Sequence, residues 1–172
     1  MAEKKKELTV TQKVQELMYD IMNKAYLTGQ SREAGGMDYR SASNIQASED
    51  DENSYQLRRS IANAFSSIKS LLGEYLSETT EETDNLIPDA IDDDTELKLT
   101  FKLPSNYNNA SADSLGNGIH AYLVDMALYE WLTITDKADS EDYLKHAAAS
   151  LDTVKRALYK RSRPTRPTYA DS

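Results

Sequence analysis

The chain has 172 residues, with 20 Lys+Arg against 29 Asp+Glu and a net charge of −9. That length suits one domain with a real core, and the acidic balance excludes a protein that binds nucleic acid over its whole surface by neutralising phosphates. The absence of Cys excludes disulfides and thiolate metal sites, and with no signal-like or membrane-length apolar run the expectation is a soluble intracellular protein without a membrane partner.

Lys4, Lys5 and Lys6 fit poorly at the positive end of a helix dipole, so residues 1–8 read as a basic N-terminal arm. Val10, Val14, Leu17, Met18, Ile21, Met22 and Ala25 recur at helical steps. Thr9 with Gln12 has the spacing of a capping box, and Gly29 is a plausible stop. Residues 30–53 show no period and carry Gly35-Gly36 and the acidic run 49–52. A structureless connection of that length is uncommon in a compact domain, so it reads as either disordered or held by a partner, with the partner favoured.

Leu57, Ile61, Ala64, Phe65, Ile68, Leu71, Leu72, Tyr75 and Leu76 give the cleanest helical stripe, with Ser54 as a possible N-cap. The pattern breaks in the acidic stretch that follows, where Pro88 bars an ordinary helix interior. In Glu96–Leu103, Leu97, Leu99, Phe101 and Leu103 alternate strictly with polar residues, which is the period of a half-buried strand. Such a strand needs a partner for its backbone groups. Residues 86–91 are near enough to supply an edge partner, and another subunit is the other way out.

Ile119, Tyr122, Leu123, Met126, Tyr129 and Leu132 line one side of a helix, while Val124, Leu128 and Trp131 fall on the other. A helix apolar over most of its circumference is buried on several sides, so this is read as the central helix, starting near Ser111 with Leu115 as its first core contact. Trp131, Met126 and Leu123 are expected to pack on the 57–76 stripe. A last helix, capped by Asp139 or Ser140, runs on Leu144, Ala147, Ala148, Leu151, Val154 and Leu158, with Lys155, Arg156, Lys160 and Arg161 near its negative end. Beyond it, Pro164 and Pro167 hold an extended arm. The fold class read from these elements is mainly α. It is a four-helix domain over 9–161, with one strand or small β element at 96–103, a long loop 30–53, an acidic, strand-bearing insertion 78–104, and an extended C-terminal arm 162–172.

Charge is unevenly placed. From Ser48 to Glu96 there are 14 acidic residues against 3 basic ones, and from Lys155 onward 6 basic against 1 acidic. The asymmetry suggests an oriented electrostatic role, although each cluster alone is commonly a solvated face. Catalytic chemistry is not legible. Gly116-Asn-Gly118-Ile-His-Ala121 matches a dinucleotide fingerprint in letters, but no strand runs into it and none follows. Asp142, His146 and Ser150 can line one helix face, which without a pocket reads as a surface row; His120 reads as a satisfied core or interface histidine. Asp92, Asp93 and Asp94 lack the spacing of a Ca²⁺ loop. No cofactor or metal is expected. The 11 Tyr against 2 Phe suit interfaces, with Tyr19, Tyr75, Tyr122 and Tyr129 read as rim-of-core residues.

The helices around Leu57–Leu76, Ile119–Leu132 and Leu144–Leu158, the long loops between them and the basic segment Arg161–Tyr169 resemble, in arrangement, the head–tail connector (adaptor) proteins of tailed bacteriophages. The resemblance implies a non-enzymatic virion protein that forms a ring beneath the portal. It would extend a channel that passes DNA without sequence-specific binding, and dock on other virion proteins through its C-terminal arm. The strand 96–103 departs from an all-helical member.

The physical reading runs beside this. A negative lining repels phosphates, and Glu81, Glu82, Asp92, Asp93 and Asp94 are candidates for one. Leu97, Leu99, Phe101 and Leu103 mark a strand for pairing between subunits. Arg161, Arg163, Pro164, Arg166, Pro167 and Tyr169 form an arm able to bind carboxylates on a partner, or else a solubilising tail. Two rivals stand beside the ring: a small acidic regulatory or DNA-mimic protein that binds a basic partner, and an enzyme built on the His146 row.

Overall fold

The alternation at 96–103 holds. β2 (Glu96–Leu103) buries Leu97, Leu99, Phe101 and Leu103. Its partner is β1 (Lys6–Lys13), which runs antiparallel with Lys6 opposite Leu103 and Lys13 opposite Glu96. This corrects three expectations: that residues 6–8 belong to an arm, that Thr9 caps a helix, and that β2 must look to 86–91 or another subunit; residues 1–4 of the expected arm lie outside the described residues. Leu8, Val10 and Gln12 face inward while Glu7, Thr9 and Thr11 stay exposed. That is a strand pattern whose third inward position is polar, so the period was hidden.

In the computed structural model residues 5–48, 50–77 and 91–164 are described. β1 passes directly into α1 (Val14–Ala34). The N–H of Val14 donates to the Thr95 carbonyl at 3.0 Å, extending the ladder one residue. Gly29 is not a stop: it lies inside α1, buried against α2 (Tyr39–Ile45). A Cβ at Gly29 would stand 2.7 Å from the Ala42 carbonyl oxygen, so the close approach of α2 demands glycine. The stop falls at Gly35-Gly36, where Gly36 has φ 100. Asp38 caps α2 by accepting from the Ser41 N–H at 3.0 Å. The region 30–53 is therefore largely helical, and its short helix contributes only Ala42 and Ile45 to the core.

α3 (Asp51–Leu71) begins earlier than Ser54, with Asp51 and Glu52 in the first turn, where the helix dipole favours carboxylates. It ends before Tyr75, and a 3₁₀ turn at Gly73–Tyr75 leads the chain back to the sheet. There Leu76 bridges to Phe101 and the Ser77 N–H donates to the Thr100 carbonyl at 2.8 Å.

α4 (Ala112–Thr135) is the central helix, burying Leu115, Ile119, Leu123, Val124, Leu128 and Trp131. Asp136 both ends α4 and caps α5 (Lys137–Leu158) by accepting from the Ala138 N–H at 3.2 Å, so the two helices fold back as a hairpin. They pack tightly at Gly118, where a Cβ would meet Val154 Cγ2 at 2.8 Å. Asp139 and Ser140 are buried rather than capping. Of the three alanines only Ala147 is buried, and Leu144 is exposed. Tyr122 Oη lies 3.0 Å from Ser67 Oγ, joining α4 to α3, while the polar tip of Trp131 turns toward α2. Tyr19 corrects the rim-of-core reading, since it is 70% exposed.

Candidate functional site

In an antiparallel ladder, residues that exchange backbone bonds alternate with residues whose N–H and C=O face away from the partner. Val14 bonds to Thr95, so by register Leu8, Val10 and Gln12 face β2. Ser77 reaches the Thr100 carbonyl from the far side of β2, which gives the same parity. Thr9, opposite Thr100, and its neighbours Glu7 and Thr11 therefore direct their backbone groups to the outer edge of β1. The approach of Thr9 Oγ1 to Thr100 Oγ1, 3.1 Å, fits the close side-chain spacing of such a pair. Among the described residues no strand covers this edge.

The edge opens into a groove of about 890 Å³ lined by residues 8–12 of β1, the outer side of α1 from Gln15 to Asp20, and the first turns of α4 from Ala112 to His120. Its charged lining is Glu16, Asp20 and Asp113, with His120 and no Lys or Arg. Gln12 builds the wall: its Nε2 donates to the Gly116 carbonyl at 2.9 Å, and its Oε1 lies 3.1 Å from His120 Nδ1. His120 Nε2 is 2.7 Å from Asp20 Oδ2. Both ring nitrogens are thus engaged, and His120 holds β1, α1 and α4 together. Gly116 sits over Val10, 3.9 Å from a Cβ position to the nearest methyl, so α4 lies close beside the strand.

The arm begins at the other end of the sheet. The Ser162 N–H donates to the Asn106 carbonyl at 2.8 Å, Tyr107 pairs with Arg161, and Lys6 Nζ donates to the Tyr107 carbonyl at 3.2 Å. Arg161 Nη1 donates to the Leu158 carbonyl at 2.8 Å. Arg161 therefore caps its own α5, which corrects its reading as a free docking cation. Arg163 and Pro164 are exposed; Arg166, Pro167 and Tyr169 lie outside the described residues. Tyr107 is buried, its hydroxyl meets no partner among the described residues, and burial pushes its pKa up.

The remaining expected sites divide. Leu97, Leu99, Phe101 and Leu103 point into the core, and β2 has β1 on one edge with Leu76 and Ser77 on the other. Asp93 Oδ1 accepts from Arg58 at 2.8 Å. Asp92 Oδ1 accepts from Thr95 Oγ1 at 2.8 Å and from the Asp94 N–H at 3.1 Å, so this run forms the turn into β2. Glu81 and Glu82 lie outside the described residues. His146 meets Tyr143 edge-on with ring centroids 5.9 Å apart, and Asp142 pairs with Lys145. No hydrogen bond among the described residues joins His146 to Asp142 or Ser150, so the row lacks the base-and-orienter geometry of a nucleophile. Beside it, Arg32 Nε donates to Asp139 Oδ2 at 2.6 Å. That bond and the Asp139 charge raise the Arg32 pKa, and the pair ties α1 to α5. Among the described residues no group of three His, Asp or Glu side chains could hold a metal, and no helix is long and apolar enough to cross a membrane.

Sequence reasoning missed the groove because its parts are Thr, Gln and a short apolar alternation, none of which forms a motif. The signal available was Leu8-Thr-Val10-Thr-Gln12, a β-favouring run. Comparison of the chain with family models, curated proteins and solved structures gave no match.

Proposed function

We propose that this protein is a non-catalytic structural subunit that assembles into a ring, in the role of a head–tail connector of a tailed bacteriophage virion. One observation carries the reading: an open, acid-lined strand edge and the exit of a basic segment lie at different places on the same chain. Two unlike complementary surfaces make head-to-tail contacts, and these close into rings when the rotation permits. The partners under this reading are copies of the chain and other virion proteins such as the portal. A net charge of −9 suits a channel wall that passes DNA without gripping it.

Electron microscopy and light scattering of the purified protein test the reading. Closed rings of uniform stoichiometry are expected, alone or on addition of a portal. A monomer that instead binds a basic protein with salt-sensitive affinity would favour the acidic regulatory or DNA-mimic role and overturn this one.

A further inference from the structure

We infer that the pocket between the end of α2 and the start of α3 binds a neutral mono- or disaccharide. This goes beyond the assembly reading, since the pocket shares no lining residue with the groove along β1. Its volume is about 450 Å³, within the range of small-molecule pockets, roughly 300–1,000 Å³.

Four elements build it. Asn44 lies in the last turn of α2 and Gln46 just past its end. Ser48 and Asp50 stand in the connection, and Asn53 in the first turn of α3. Tyr26 of α1 and Trp131 of α4 add aromatic surface. The Trp131 indole N–H is committed to the Ile45 carbonyl at 2.8 Å, so its contribution to the pocket is apolar ring. Tyr26 is 45% exposed, and its hydroxyl is held by Gln30 Nε2. Aromatic faces carry negative potential, which attracts the polarised C–H groups of a sugar ring.

The polar groups are ordered without being used up. Ser48 Oγ donates to Asp50 Oδ2 at 2.6 Å and accepts from Asn53 Nδ2 at 2.7 Å. Asp50 Oδ1 and Asn53 Oδ1 remain as acceptors. Among the described residues the side-chain amides of Asn44 and Gln46 meet no hydrogen-bond partner. A side-chain amide both donates and accepts, as a sugar hydroxyl does. Several such groups beside an aromatic floor therefore match a ring with an apolar C–H face and a hydroxylated rim.

Charge excludes the other small ligands. No Lys, Arg or His lines the pocket, so a phosphate or carboxylate finds no counter-charge and meets Asp50. The start of α3 offers an anion nothing further, because Asp51 and Glu52 already occupy its first turn. A metal ion is excluded by ligand count, since among the described residues no group of three His, Asp or Glu side chains could hold one.

The chain has a single Trp, so the emission of Trp131 reports on this pocket in the full-length protein. The probes are glucose, galactose, mannose, N-acetylglucosamine, maltose and lactose, followed by emission and by equilibrium dialysis of the labelled sugars. At least one should bind saturably. Asn44 is exposed and Asn53 half-buried, so Asn44→Ala and Asn53→Ala leave the core intact. Each should weaken binding by up to about tenfold, the loss of one hydrogen bond. Glucose 6-phosphate should bind more weakly than glucose. Retention of no sugar in dialysis overturns the inference. So does affinity unchanged in both variants, or a phosphorylated sugar that binds as tightly as its neutral parent.

Discussion

The indole N–H of Trp131 donates to the backbone carbonyl of Ile45 across 2.8 Å, joining residues 86 apart in sequence. α2 brings only Ala42 and Ile45 to the core, so this bond is a principal tie between α2 and the central helix. Trp131→Phe keeps an aromatic ring and removes the donor. A buried carbonyl left without a partner costs about 1–3 kcal/mol, which for a chain of this size lowers Tm by roughly 2–4 °C per kcal/mol. Calorimetry should show that fall, and amide exchange should quicken at residues 39–45. An unchanged Tm would mean that the bond carries no stability.

Gly118→Ala sets two effects against each other. Alanine gains about 1 kcal/mol of helix propensity over glycine. Its Cβ, however, would stand 2.8 Å from Val154 Cγ2, and overpacking of this kind costs about 1–3 kcal/mol. The single variant should be destabilised in urea denaturation. In a Val154→Ala background the same change should become neutral or stabilising, giving a clear coupling energy in a double-mutant cycle. Additive effects would show that the α4–α5 contact is looser than the geometry states.

Leu123 is fully buried in the middle of α4. Leu123→Ala should cost about 2–5 kcal/mol, through lost transfer energy and the cavity left behind. A midpoint shift in urea with an unchanged slope would record this as stability alone.

The Tyr75 hydroxyl donates to that of Tyr159, and the rings meet edge-on at 5.7 Å. That bond, then burial and the neighbouring phenol, push the Tyr75 pKa from 10.0 to about 12. The folded state therefore holds a proton that the unfolded state releases first. This contribution to stability is complete below pH 10 and is lost as pH rises through about 12. Tyr75→Phe should flatten that alkaline loss, and phenolate absorbance should lose its latest-titrating component. An alkaline profile identical to wild type would refute the assignment.

The parts of the fold written as large apolar side chains were legible. Glu96 to Leu103 alternates cleanly and forms the strand at those bounds, and Ile119 to Leu132 lies in the buried central helix. The parts held by polar groups or close approach were not. Gln12 occupies an inward strand position through hydrogen bonds to Gly116 and His120, so β1 looked like a helix entrance. Gly29 permits the contact with α2 yet carries the same letter as a helix stop. α2 offers two small buried contacts, too few to register as a period. The groove follows from β1, and a reading that missed the strand could not see its edge.

β1 and β2 meet across about half of the chain, Lys6 against Leu103. Synthesis proceeds at about 5–20 residues per second, so β1 waits several seconds before its partner exists. Closing so long a loop is entropically costly and slow. Until it closes, neither side of β1 is fixed as inner or outer, and the wall supplied by Gln12, Gly116 and His120 is absent. The open edge of β1 and its groove thus come into being only once the chain through His120 has folded. Under the proposed ring reading, a chain that ends before His120 lacks this edge, and joining an assembly would be a check on completed folding.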